Sequence, residues 1–200
     1  MKRIAILVSG RGSNFEAIAR NITAGKLQAE IVAVISNNPE AVALTTARGL
    51  GLNAISLPSK GIDSDRYAQM VCDALAPLAV DLLCLAGFMR RVGAPLLTAY
   101  ERRILNIHPS LLPSFPGLHV QQQALDYGVR FSGCTVHFVD AGLDTGPIVA
   151  QAAVPVLDDD TADTLAARIL VEEHRLFTEA IALVLGGAYR VEGRRIIRTA

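Results

Sequence analysis

The stretch RIAILVSGRGSN, residues 3–14, carries an aliphatic run into a turn built from Ser9, Gly10, Arg11 and Gly12. A short continuous apolar run reads as a strand buried on both faces, the kind found in parallel sheets. The glycines that follow let the chain reverse, and residues 14–24 then show a helical pattern. Strand, glycine turn and helix in that order open an α/β architecture. The apolar run stops after Val8, too early for a secretory leader.

The pattern repeats outward. Residues 31–35, 54–57 and 82–85 read as further strands, with helices at 41–48 and 65–76 between them. That alternation predicts a mostly parallel, Rossmann-like central sheet flanked by crossover helices. Residues 104–108 read as one more strand. Residues 131–139 and 148–156 then read as two long strands around DAGLDTGP (140–147), pairing as an antiparallel portion in the C-terminal half. Residues 161–185 form one long amphipathic helix, and 190–198 a terminal hairpin turning near Glu192 and Gly193. No internal repeat, low-complexity tract or linker interrupts the chain. The expectation is a single domain, 1–200, with lobes of about 1–100 and about 101–200.

Charge narrows the function. The 19 basic and 19 acidic residues give a formal net charge of +0, with basic residues only in short pairs such as Arg102 and Arg103. A broad nucleic-acid face is not expected. Cys72, Cys84 and Cys134 are odd in number and show no CxxC spacing, which predicts reduced thiols in a cytoplasmic protein. No segment approaches the length of a membrane span. His119, His137 and His174 make no metal-ligand spacing, so no metal is expected.

Within this frame, SGRGSN joins a strand to a helix and suits a phosphate at the helix N-terminus, with Gly12, Ser13 and Asn14 as its donors. The alternative is an ordinary turn capped by Ser13 or Asn14. A dinucleotide fits less well, because Phe15 stands where the third glycine belongs and Ser36-Asn37-Asn38 where an acid belongs. In ILNIHPSLLPSFPG (104–117), Asn106 and His108 stand two apart and share a strand face. Asparagine donates without titrating and histidine can donate near neutral pH, a pairing suited to an oxyanion. A hydrogen-bonded cap on the sheet end is the bland alternative. Asp144 is a candidate partner that favours the imidazolium of His108, or else a turn aspartate bonded to its own backbone. Glu173 falls in the apolar stripe of Leu165, Ile169, Phe177, Ile181 and Leu185, where it needs either an arginine or ligand hydroxyls. LAGFMRRV (85–92) ends another strand and exposes Phe88, Met89 and Arg90, which suits an aromatic ligand or simple packing.

Together SGRGSN, LAGFMRRV, NIHPSLLPSFPGLH and GCTVHFVDAGLDTGP resemble the phosphoribosylglycinamide formyltransferase family, over nearly all the chain. The resemblance implies a Rossmann-like formyltransferase fold. It implies formyl transfer from 10-formyltetrahydrofolate to the amine of 5-phosphoribosylglycinamide (GAR) in purine biosynthesis. By matching motifs it makes Asn106, His108 and Asp144 catalytic, and assigns Gly12, Ser13, Asn14 and Glu173 to GAR. It assigns Met89, Arg90, Arg91, Val92, Asn106, Val139 and Asp140 to the folate. It further implies a cytoplasmic monomer or homodimer acting on small molecules. GIDSDRYAQ (61–69) departs from the family's pattern, with Arg66 the nearby basic residue for the folate tail. The rival resemblances are 10-formyltetrahydrofolate hydrolase, where a regulatory domain precedes the catalytic one, and methionyl-tRNA formyltransferase, which adds an RNA-binding domain. A non-catalytic nucleotide-binding module is the rival from another class, and retention of Asn106, His108 and Asp144 argues against it.

Overall fold

The computed structural model describes residues 1–199, and the chain divides into two compact units, Met1–Asn106 and Ile107–Ala200. The fold is a mostly parallel sheet with antiparallel C-terminal strands and flanking helices. In the first unit, β1 (Lys2–Val8), β2 (Ala29–Ser36), β3 (Ala54–Ser56), β4 (Leu82–Leu85) and the start of β5 (Ile104–His108) run in the order β3-β2-β1-β4-β5. Every neighbouring pair is parallel. The chain steps outward from β1 to β3 and returns on the other side at β4, so the strand order reverses between β1 and β4. Open α/β sheets take their ligands at the carboxyl edge of such a reversal.

Hydrophobic burial dictates this arrangement. Ile4, Ala5, Ile6, Leu7 and Val8 are wholly excluded from water, as are Ala33, Val34 and Ile35 of β2. Such strands need cover on both faces, which α1 (Ser13–Thr23), α2 (Val42–Gly49) and α3 (Ser64–Leu75) supply. Phe15, Ile18, Leu44, Val71 and Leu75 are fully or almost fully buried on those helices. Two short helices, α4 (Ala94–Ala99) and α5 (Val120–Tyr127), have no counterpart in the pattern reading.

The helix starts are specific. α1 is capped by Gly12 rather than by a side chain of Ser13 or Asn14, with φ +83°, in the left-handed region. A Cβ on Gly12 would stand 2.6 Å from the Ala43 Cβ, so two demands meet on one glycine. α3 is capped by the Asp63 carboxylate, which accepts from the Asp65 and Arg66 amides.

The second unit is built on β6 (Phe131–Phe138) and β7 (Ile148–Pro155), which pair antiparallel from Phe131 opposite Pro155 to His137 opposite Ile148. The hairpin β8 (Tyr189–Glu192) and β9 (Arg195–Arg198) joins β7 through β9. α6 (Ala162–Gly186) packs on β6 and β7, with Leu165, Ile169, Phe177 and Ile181 fully buried and Leu185 half-buried. Its start is tied by Asp160, whose carboxylate accepts from both Arg168 terminal nitrogens (2.6 and 2.8 Å), the Leu157 amide and the Thr164 hydroxyl.

Gly12→Ala is expected to cost about 2 kcal/mol through crowding and positive φ. At this chain length that lowers Tm by roughly 4–8 °C. Gly10→Ala, whose added Cβ meets nothing within 4 Å, is the control expected to melt like the parent. Equal melting of both variants would refute the tight packing at Gly12. The bonds from Arg168 hold the Asp160 carboxyl well below the usual carboxylate range. Its stabilisation is therefore fully present above an unfolded value of about 3.9 and is lost as pH falls through the folded one. Unfolding measured at pH 7 and pH 3 should show Asp160→Asn losing less stability on acidification than the parent; equal losses would contradict the assignment.

Candidate functional site

In the first unit, the chemistry-bearing residues gather at strand carboxyl ends. Gly12, Ser13 and Asn14 form the first turn of α1, where backbone amides lack helical acceptors and the dipole favours an anion. Ser13 is half-buried and Asn14 buried. One strand away, Gly87 to Val92 follow β4, and the Met89 amide donates to the Ser9 hydroxyl at 2.8 Å. Met89 is 66% exposed, and Arg91 is also exposed. Arg90 differs from the expectation that it stands exposed. Its guanidinium donates to the carbonyls of Ser59 (3.2 Å) and Ile62 (2.8 Å), and lies 4.9 Å over the ring of Tyr67. The side chain is spent on clamping its own loop. Tyr67 is buried beneath it, and that burial pushes its phenol up to about 12.

In the second unit, β5 ends at His108, and its two-residue period puts Asn106 and His108 on one face. Asn106 is half-buried and His108 buried. The His108 Nε2 lies 2.9 Å from the Phe115 carbonyl. A carbonyl only accepts, so Nε2 carries a proton and donates. That leaves Nδ1, an acceptor in the neutral ring and a donor only in the imidazolium. Asp144 Oδ2 stands 3.5 Å from it, close enough for a strong field and too far for a short hydrogen bond.

Asp144 itself is held in place. It accepts from the Gly117 amide at 2.9 Å rather than from its own turn. Its backbone has φ +53°, left-handed for a residue that is not glycine. Its other oxygen lies 3.7 Å from His137 Nε2. His137 donates from Nδ1 to the Phe138 carbonyl at 2.9 Å. Burial pushes its imidazole down, while the Phe138 carbonyl and Asp144 pull it back up. Desolvation wins, so His137 is the neutral neighbour of the pair. Asp140 accepts from the Gly142 amide (3.0 Å) and the Thr145 hydroxyl (2.6 Å), which shapes the loop bearing Asp144; Val139 is half-buried beside it.

The proline-rich loop after His108 is anchored by residues that no motif announced. Thr135 donates to the Ser110 carbonyl (2.7 Å) and accepts from the Leu112 amide (3.0 Å), and Gln151 donates to the Leu112 carbonyl (2.8 Å). Ser110, fully buried, donates to the Ser114 and Phe115 carbonyls. The period-two alternation of β6, which puts Thr135 and His137 on one face, is the signal that locates them. Glu173 is buried in the apolar stripe of α6 as the spacing required. Arg66 is exposed on α3. Among the described residues no group of histidine, cysteine or carboxylate side chains forms a metal cluster. None of the helices among the described residues is long and apolar enough to cross a membrane.

Known proteins match this arrangement closely. A glycinamide ribonucleotide transformylase 1 from Symbiobacterium toebii has a crystal structure that superposes with a TM-score of 0.97 at 48% identity, covering 100% of this chain and 95% of that one. The phosphoribosylglycinamide formyltransferase of Bacillus subtilis is 38% identical over 187 residues, which span 93% of this chain and 96% of that protein. The trifunctional purine biosynthetic protein adenosine-3 of Drosophila melanogaster is 47% identical over 189 residues, but the chain spans only 14% of its length. The sequence pattern described as Formyl transferase matches residues 2–181. On that match and these identities, the chain belongs to the formyl transferase family.

Proposed function

We propose that this chain transfers the formyl group of 10-formyltetrahydrofolate to the amine of 5-phosphoribosylglycinamide, giving formyl-GAR and tetrahydrofolate. The observation that carries the reading is the buried His108, with Nε2 fixed on Phe115 and Nδ1 facing Asp144, two residues after Asn106 on one strand. The name of the Bacillus subtilis relative, a phosphoribosylglycinamide formyltransferase, supports GAR as the formyl acceptor. The two units are read as lobes of one formyltransferase domain, working on small molecules in the cytoplasm as a monomer or homodimer.

The chemistry needs negative charge met where it develops. When the GAR amine attacks the formyl carbon, the formyl oxygen becomes an oxyanion in a tetrahedral intermediate. Asn106 donates an amide proton to it, and His108 donates from Nδ1. Each preorganised donor of this kind contributes roughly 3 to 4 kcal/mol. Asp144 offsets the positive charge of a ring protonated on both nitrogens and keeps it oriented. Collapse breaks the bond from the formyl carbon to the folate nitrogen. The ammonium loses one proton and the departing nitrogen gains one, a relay for which Asp144 and water are the acceptor and carrier.

Binding falls to the remaining residues. Gly12, Ser13 and Asn14 hold the GAR phosphate at the start of α1, and Glu173 accepts from the ribose hydroxyls. Met89 to Val92 line the folate pocket with Asn106, Val139 and Asp140. Because the Arg90 guanidinium is already committed to Ser59, Ile62 and Tyr67, its part in folate binding is played by its backbone.

The deciding assay follows tetrahydrofolate release from 10-formyltetrahydrofolate with and without GAR, with the product weighed by mass spectrometry. Release that requires GAR and yields formyl-GAR is expected. Release without GAR, giving formate, would replace the reading by a hydrolase, and no release at all would defeat it in favour of a binding module. His108→Ala and Asp144→Asn should each lower turnover by about a hundredfold or more. Calorimetry should find GAR binding retained in both, and unchanged turnover in either variant sinks the mechanism.

A further inference from the structure

At the strand reversal of the first unit, a closed ring of hydrogen bonds links four strand ends. Ser9, the first residue after β1, donates its one hydroxyl proton to Asn37 Oδ1 at 2.6 Å and accepts from the Met89 amide at 2.8 Å. Asn37, after β2, donates to the Ser59 hydroxyl at 3.3 Å, and the Ser59 amide returns a bond to the Asn37 carbonyl. The Ser59 carbonyl, beyond β3, accepts from Arg90 at 3.2 Å, and Arg90 is covalently next to Met89. The donor directions are forced. Asn37 Oδ1 and the Ser59 carbonyl can only accept, and the Met89 amide can only donate.

We propose that Ser9 is a positioning residue for the folate substrate: its hydroxyl fixes the segment from Met89 to Val92, the edge of the pocket, relative to the phosphate loop. This rests on the formyl-transfer reading above. Sheet bonds already join β1 to β4, from the Ser9 amide to Gly87 and from the Ala86 amide to Leu7. The hydroxyl bond lies beyond them, on a residue whose side chain is 66% exposed, so its loss loosens the segment without unpairing the strands. The phosphate loop keeps separate ties, the Ala43 amide to the Gly10 carbonyl and Asn38 to the Ser9 carbonyl. Asn37 also explains the missing acid after β2. Where a dinucleotide fold places a carboxylate for a ribose, this chain spends the position on holding Ser9.

The test compares Ser9→Ala and Ser9→Thr with the parent. In Ser9→Ala, amide hydrogen exchange at Met89 should accelerate, and the KM for 10-formyltetrahydrofolate should rise about three- to tenfold, the worth of one neutral hydrogen bond. The KM for GAR, kcat and Tm should stay close to parent values, and Ser9→Thr, which keeps the hydroxyl, should restore both exchange and KM. Unchanged exchange at Met89 overturns the proposal. So does a fall in Tm and kcat with both KM values unmoved, or a threonine variant that behaves like alanine. If the parent itself shows no GAR-dependent transfer, the functional reading fails, while the exchange measurement still decides whether Ser9 holds the segment.

Discussion

A strand sealed from water on both faces can carry no unpaired polar group until it ends, and β1 is sealed from Ile4 to Val8. The cost of burying an unsatisfied polar atom, about 1–3 kcal/mol, exceeds what most single contacts supply. Polar chemistry is therefore pushed to the carboxyl ends: Ser9 after β1, Ser36 and Asn37 at the end of β2, Met89 and Arg90 beyond β4, and Asn106 with His108 closing β5. The sequence of buried strands sets where the reactive groups can stand, before any of them has a role.

Burial of charge imposes the second constraint. The Asp144 side chain is 13% exposed, and the Gly117 amide and two imidazoles surround it. The two histidines are not equivalent. His137 is driven down by desolvation, whereas His108 has an acceptor oxygen near each ring nitrogen. One aspartate thus sits between a ring whose surroundings favour neutrality and one whose two nitrogens both face oxygen. This division lets a single carboxylate orient His108 without being shared equally.

Much of this was legible in the sequence, and the limits follow from range. Aliphatic runs alternating with helical stretches identify the parallel strands, and the long apolar stripe of α6 identifies the helix and its buried Glu173. Asn106 and His108 are fixed as neighbours by a two-residue period. The short helices were not legible: APLLTA and VQQQALDY are too brief to be stable by propensity, and they form because the surrounding chain holds them. Arg90 looked like a ligand-facing cation because its partners, Ser59, Ile62 and Tyr67, lie some two to three dozen residues away along the chain. The meeting of Asp144 with His108 spans a comparable interval, so residue type could nominate the partner but not measure the gap.

The anchoring of the proline-rich loop by Thr135 and Gln151 has a consequence for how the chain can vary. Ser110 and Leu112 are both held by one rung of the β6 and β7 ladder, Thr135 opposite Gln151, so the loop works as a ruler of fixed length. Adding or removing one residue between His108 and Phe115 would slide these marks off that rung and pull the Phe115 carbonyl away from the imidazole. Past Phe115 the count is kept by other contacts, the Gly117 amide on Asp144 and Gln123 on the carbonyl of the exposed Leu118.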